Sequence, residues 1–202
     1  MTIRKGEDWG AIGPLPSGTE ICEDDDSLFA AVNRDPRAAC IGLLTGDLAR
    51  TVSASGSLDR FNGSDEVVIL PLDLGLAHFD GGSRLFASHA VARRSWWRGR
   101  VLVVANAQFI GSWDVAPRSH PNDGFLDVVD VAASMGIRQR QAARKRLPLA
   151  GHLPHPSIST RRAREAEWVF ENPLDLWLDG VKVARTSNLR VVCLADSQTI
   201  CI

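Results

Sequence analysis

Apolar positions recur along the chain with two different periods, and the change between them divides it. Gly-Pro and Pro-Ser-Gly turns come first, and Thr19 to Cys22 then reads as a short apolar strand. Asp24 to Asp26 form an acidic helix start, after which Leu28, Phe29 and Val32 fall on one helical face. Ala39 to Leu44 supplies a second strand. A strand, a helix and a strand in this order make a crossover unit, and parallel pairing of the strands needs the helix as a right-handed connection. Residues 1–55 are therefore expected to form a small α/β lobe.

The polar stretch SASGSLDRFNGSDE, residues 53–66, reads as a surface connection. Beyond it the period becomes that of strands: Val67 to Leu74, Arg84 to His89, Gly99 to Gln108, Phe125 to Val131, Ala166 to Phe170, Leu174 to Leu178 and Leu189 to Leu194. Asp80-Gly81-Gly82, Asn122-Asp123-Gly124 and Asp179-Gly180 are turn signals between them. One helix is expected near Ala132 to Arg146, with a weak apolar face at Met135 and Ile137 and a strongly cationic opposite face. The pattern predicts a mainly β (α+β) protein, in which residues 56–202 form a β-sandwich or clam of about eight strands.

Composition narrows the function classes. At 202 residues and 45% hydrophobic, the chain is long enough for one substantial core or two small lobes. A net charge of −1 gives no global attraction to nucleic acid or an anionic membrane, so a polyanion must be met by a local patch. No apolar run approaches the roughly 20 residues that span a bilayer, and Met1 to Gly10 lacks the apolar core of a signal peptide. The expectation is a cytoplasmic protein with at most peripheral membrane contact. Cys22, Cys40, Cys193 and Cys201 are scattered in apolar surroundings and read as buried thiols.

Val101 to Val131, VLVVANAQFIGSWDVAPRSHPNDGFLDVVDV, carries a strand ending in Asn106, a turn with Gly111, then Pro117, and an Asp123-Gly124 turn opening a strand that holds Asp127. This order resembles the bacterial diacylglycerol kinase and lipid kinase family. GHLPHPSISTRRA is similar to that family's Gly-His element, and LWLDGVKVARTSNLRVV, with Asp179 and Gly180, to its closing Asp-Gly-Glu turn. GLLTGDLART, with Thr45, Gly46 and Asp47, looks like a shortened form of its Gly-Thr-Gly-Asn-Asp stretch. The resemblance covers about two thirds of the chain and implies ATP and Mg²⁺ as cofactors, a lipid substrate and a β-rich C-terminal domain. It also implies a Gly-Gly-Asp-Gly-Thr turn between strand and helix, where backbone N–H groups meet the ATP phosphates. This chain has no such run, and Val181 stands in place of the glutamate of the closing turn. ATP is therefore disfavoured, with Thr45, Gly46 and Asp47 as the only phosphate-binding remnant.

The candidate residues each carry a plainer reading beside the functional one. Asp179 is implied as the catalytic base that takes a proton from the lipid hydroxyl, while Asp-Gly is also an ordinary exposed hairpin turn. Asn122, Asp123 and Asp127 are hard oxygen donors around a tight turn and are implied as a Mg²⁺ site; an Asn-Asp-Gly turn explains the same residues. His152 and His155 flank a proline and lack a third ligand, which argues against zinc. No Gly-x-Ser-x-Gly elbow supports hydrolase chemistry. Arg93, Arg94 and Arg98 beside Trp96 and Trp97 suit a phosphorylated headgroup at a lipid interface, and the Arg138 to Arg146 run adds further cations; a solvated helix face is the alternative. Tyrosine is absent and no stacking motif accompanies the arginines, so no nucleic acid partner is expected.

The leading reading is a degenerate lipid kinase homologue with little or no kinase activity, binding a lipid or a phosphorylated small molecule. The alternatives are an active ATP-dependent lipid kinase with a reduced nucleotide site, and a structural subunit that self-associates as a homo-oligomer.

Overall fold

A computed structural model describes residues 9–62 and 66–202. Part of the predicted connection, 63–65, and most of the N-terminal segment read for a leader, 1–8, lie outside the described residues. The N-terminal unit consists of β1 (Ala11–Pro14), β2 (Glu20–Cys22), α1 (Asp25–Val32), β3 (Ile41–Leu43) and α2 (Asp47–Thr51). Asp24 caps α1: its carboxylate accepts the Ser27 N–H at 2.9 Å, and the Ser27 hydroxyl accepts the Asp24 N–H at 3.0 Å. As expected, β2 and β3 pair in parallel across α1, with Glu20 opposite Ile41 and Cys22 opposite Leu43.

The rest of the chain forms β4 (Glu66–Phe79), β5 (Gly82–Phe86), β6 (His89–Arg93), β7 (Val101–Ala105), β8 (Phe109–Ile110), β9 (Trp113–Asp114), β10 (Leu126–Val131), α3 (Ile137–Arg146), β11 (Ile158–Ala163), β12 (Glu165–Leu178) and β13 (Val181–Cys201). One sheet runs β1-β4-β13-β12-β6-β7-β10-β11, and β2, β3 and β5 join it off this path. The mainly β expectation holds. The end of β13 pairs in parallel with β3, Ile200 opposite Ile41, so the last strand of the chain completes the N-terminal unit. Leu28, Val32, Ile41 and Leu48 accordingly share a core with Leu72, Leu74 and Ile200.

The central strands are apolar on both faces. Leu102, Val104, Leu126 and Val128 meet Phe86, Trp168, Phe170, Leu176 and Leu189 in the main core. The alternate residues Val101, Val103 and Val129 face the other way, toward Trp96, Trp113 and Leu147. In the main core the Phe86 ring lies on Gly75, where a Cβ would come within 2.0 Å of it.

Several expectations change in detail. The predicted strand Arg84 to His89 is broken at Ala87 and Ser88, while Ala166 to Phe170 and Leu174 to Leu178 are a single strand whose register shifts between Val169 and Leu174. Pro173 lies in that interval and cannot donate to a ladder. Leu189 to Leu194 is the middle of the 21-residue β13. Among the described residues no helix is long and apolar enough to cross a membrane.

Candidate functional site

Five chain segments converge where the N-terminal unit meets the large sheet. They are the β2–α1 turn, the start of α2, the break between β5 and β6, the β8–β9 turn and the β12–β13 turn. Asp179 is not an exposed turn residue: it is 2% exposed, and its backbone has a positive φ of 46°. Its carboxylate accepts the N–H groups of Ala87 at 2.7 Å, Ser88 at 2.8 Å and His89 at 2.8 Å, and its own N–H donates to the His89 carbonyl at 2.9 Å. Those bonds satisfy the backbone where β5 stops and β6 begins, which explains why the predicted single strand divides there.

The implied phosphate remnant is engaged from within. Thr45 donates its hydroxyl to the Glu23 carbonyl at 2.5 Å. Gly46 caps α2 with φ of 107°, and a Cβ there would lie 2.7 Å from the Asp25 carboxylate. The Asp47 N–H, which an anion would otherwise use, donates to both Asp25 oxygens at 3.0 and 2.9 Å. Asp47 in turn accepts the Gly111 N–H at 2.6 Å and lies 3.8 Å from the His89 ring nitrogen Nδ1. The Ser88 hydroxyl is 3.4 Å from Asp25.

Burial dominates the electrostatics of this junction. It raises the pKa of Asp25, pushes Asp47 up to about 6 with help from the Asp25 charge, and pushes Asp179 up to about 7 despite its three N–H bonds. Burial also pushes His89 down to about 4, and its Nε2 lies 3.0 Å from the Ala107 carbonyl, so that nitrogen carries the proton of a neutral ring. The β2–α1 turn reads Glu23-Asp24-Asp25-Asp26-Ser27. At the strand-to-helix turn where the family resemblance implies glycines and open N–H groups, this chain presents four consecutive acids. Like charges stand there in place of the donors that a triphosphate requires.

The other family-motif residues brace the junction or lie outside it. Asn106 is fully buried and donates its side-chain amide to the carbonyls of Asp73 at 2.7 Å and Ala87 at 2.9 Å. Gly180, with φ of 87°, follows Asp179, and a Cβ there would lie 3.7 Å from an Asp26 oxygen. Gly124, with φ of 73°, donates its N–H to Asp73 at 2.7 Å. Pro117 is exposed, on the wall of a separate cleft near Asp127.

The implied Mg²⁺ ligands are held by the chain itself. The Asn122 amide donates to Asp73 at 3.2 Å and to Asp196 at 2.9 Å. Asp123 pairs with Arg162 and accepts the Phe125 N–H at 3.0 Å. Asp127 stands on β10 opposite Arg162 of β11, and its pKa is raised by burial. The Asn122 carbonyl oxygen is buried without a partner among the described residues. Among the described residues no three His, Cys, Asp or Glu side chains gather to hold a metal ion.

The expected headgroup arginines separate. Arg93 is half-buried, with its guanidinium over the rings of Trp96 at 4.5 Å and Trp177 at 5.2 Å, whereas Arg94 and Arg98 are exposed on the β6–β7 loop. Arg100 is paired with Asp130, and Arg140 is buried beneath α3. Between α3 and the outer face of β7 and β10 lies an apolar pocket of about 190 Å³, walled by Trp96, Trp113, Val103, Val129, Met135 and Leu147. His152 stands in its wall, 5% exposed. Burial lowers its pKa, so the imidazole is neutral and offers one donor and one acceptor.

Sequence reasoning missed Asp25, Asp73, Ser88 and His89. Of these only Asp25 left a sequence signal, as part of the four-acid run before α1.

No protein-family model and no curated protein sequence matches the chain. Solved structures do. Two structures of a protein named as a diacylglycerol kinase, from Bacillus anthracis strain Sterne, superpose with a TM-score of 0.69 at 14% identity, covering 91% of this chain and 77% of that one. A third, likewise a diacylglycerol kinase from that strain, gives a TM-score of 0.63 at 14% identity, covering 91% of this chain and 75% of that one. The fold is that of the diacylglycerol kinases.

Proposed function

We propose that this protein binds a lipid on a lipid-kinase fold and does not transfer phosphate. The observation that carries the reading is the Asp25 carboxylate seated on the Asp47 N–H, because phosphoryl transfer depends on backbone donors and cations placed around the triphosphate. Here the donors at α2 are taken by an internal anion and the neighbouring turn is acidic. Asp179, the implied base, spends its carboxylate on three N–H groups of the sheet.

The apolar pocket supplies the ligand class. Its lining of Trp96, Trp113, Val103, Val129, Met135 and Leu147 favours hydrocarbon over water. His152 gives an ester or hydroxyl group a partner within a wall that is apolar apart from the side chains of Arg140 and Arg144. The carboxylates of the junction and the pocket are separate, and binding needs only the second.

The test combines two measurements on the whole chain. Dioctanoylglycerol is expected to raise the melting temperature, and Val103→Trp, which fills the pocket, to abolish that shift. Radiolabelled ATP is expected to give no labelled lipid. Label transferred to lipid and lost in Asp179→Asn would establish an active kinase with a reduced nucleotide site instead. A mass that grows with concentration, with no lipid response, would favour the self-associating subunit.

A further inference from the structure

Trp97, Trp113 and Arg144 line both the apolar pocket beneath α3 and a shallow depression on the surface outside it, so these three side chains form a mouth between the two. Inside, Val103 and Val129 of the sheet face Met135 and Leu147, and a hydrocarbon chain placed there leaves water on every side. Three lining side chains are titratable: Arg140, Arg144 and His152. His152 is neutral and adds no charge.

The two arginines are in opposite states. Arg140 is 5% exposed and spends its guanidinium on the carbonyls of Met135, Trp96, Gly99 and Ala132. Arg144 is exposed at the mouth, over the rings of Trp97 at 5.1 Å and Trp113 at 5.3 Å, and is in no ion pair among the described residues. No Asp or Glu lines the pocket, and the sequence contains none between Asp130 and Glu165. The acids at either side are engaged elsewhere: Asp114 accepts the Gln108 amide at 2.8 Å, and Asp130 pairs with Arg100.

We propose that the pocket takes a single-chain carboxylate, a medium-chain fatty acid, with its hydrocarbon between α3 and the sheet and its carboxylate on the Arg144 guanidinium. The proposal rests on the reading of this pocket as the lipid site, and adds to it the charge and the number of chains of the ligand. The planar fork of an arginine matches the two oxygens of a carboxylate. One free cation at the mouth balances one negative charge. A phosphate monoester brings about −1.5 to −2 at neutral pH, and the second arginine of the pocket is already spent. A diacylglycerol brings no charge, so it gains only the apolar interior and leaves Arg144 unused.

The test is calorimetric titration of the full chain with octanoate and decanoate, and with decanol, decyl phosphate and decyltrimethylammonium as ten-carbon ligands of other charge. Decanoate is expected to bind most tightly of the ten-carbon ligands, and to exceed octanoate by about fourfold for each added methylene. Arg144→Gln, an exposed position, should lower decanoate affinity at least about tenfold and leave decanol unchanged. Val103→Trp should abolish binding of both; the chain-length and headgroup series use the unaltered protein and decide the question should that variant fail to fold. Decanol as tight as decanoate, decyl phosphate tighter, no gain from octanoate to decanoate, or a decanoate affinity unmoved in Arg144→Gln would overturn the proposal. A melting-temperature shift with dioctanoylglycerol but no decanoate binding would overturn it alone and leave the pocket a site for neutral lipid. Failure of both ligands would overturn the pocket reading and the proposal together.

Discussion

The carboxylate of Asp25 and the N–H of Asp47 close the end of α2 with an anion from within the chain, at 3.0 and 2.9 Å, and Gly46 is what lets them approach. A side chain at Gly46 meets two obstacles, a φ of 107° and an Asp25 oxygen 2.7 Å from its Cβ. Gly46→Ala should therefore cost on the order of 2 kcal/mol or more, combining backbone strain with a clash. In the double variant with Asp25→Ala the clash disappears and the strain remains. Urea unfolding of the four proteins is expected to show a smaller cost for Gly46→Ala in the Asp25→Ala background. Equal costs in both backgrounds would mean that Asp25 does not press on Gly46.

Asp179 is the residue whose reading changes most. As an exposed turn residue, its replacement by asparagine would cost less than about 1 kcal/mol. As a buried acceptor of three N–H groups, it should be costly to remove. Asp179→Ala leaves those donors unsatisfied at a loss of roughly 2–4 kcal/mol, taking 1–3 kcal/mol for a buried donor left unpaired and allowing for partial relaxation. Asp179→Asn keeps one acceptor oxygen and should lie between Asp179→Ala and the parent protein. Hydrogen exchange at Ala87, Ser88 and His89 should quicken in both variants, and unchanged protection would contradict the role assigned to the carboxylate.

The raised pKa of Asp47 has a definite sign in stability. An acid held up at about 6 binds its proton more tightly folded than unfolded, so ionising it across the window from its ordinary value of 3.8 to about 6 lowers stability as pH rises. His89, pushed down to about 4, works in the opposite direction over much of the same range, so the wild-type curve alone does not isolate Asp47. Asp47→Asn does, because the amide oxygen can still accept the Gly111 N–H. The variant's melting temperature relative to the wild type should climb between pH 4 and pH 6 and level off above. A flat difference would show that Asp47 titrates at its ordinary value.

The sequence carried the architecture further than it carried the site. Strand periodicity identified the central strands, and the Asp24 start located α1, because both rest on local patterns that tertiary structure preserves. The edge strand β11 was not legible: Ser159 to Arg162 are all exposed, so no alternation marks them. The length of β13 was hidden as well, since its ladders with β12, β4 and β3 mix buried and exposed positions. At the site, an Asp-Gly pair looks the same in an exposed hairpin and in a buried one. Only the break between β5 and β6, more than 80 residues earlier in the chain, gives Asp179 its three donors. The acidic run at Asp24 to Asp26 reads in sequence as a helix start, yet the partner of Asp25 at Asp47 is set by the parallel pairing of β2 with β3.

Arg140 shows how a cationic helix conceals a structural residue. In sequence it is one of several arginines in RQRQAARKR, and in the fold it is 5% exposed, with no carboxylate partner among the described residues. Its guanidinium donates instead to four backbone carbonyls: Met135 at 3.0 Å, Trp96 at 3.2 Å, Gly99 at 2.5 Å and Ala132 at 3.1 Å. Burial lowers its pKa, but the planar fork keeps its charge and fits several acceptors at once, which a lysine ammonium does not. Arg140→Lys should therefore behave almost as badly as Arg140→Met. Both are expected to lose about 2–4 kcal/mol, because buried carbonyls that had charged partners are left without them. The loss should be local as well as global: with the clamp gone, the loop carrying Trp96 and Trp97 detaches from α3, and the wall of the pocket opens. Tryptophan emission should shift to the red in native buffer for both Arg140 variants, and not for Arg138→Gln, whose side chain is exposed on the same helix. A lysine variant with wild-type stability and emission would show that charge alone, without the fork, holds the loop.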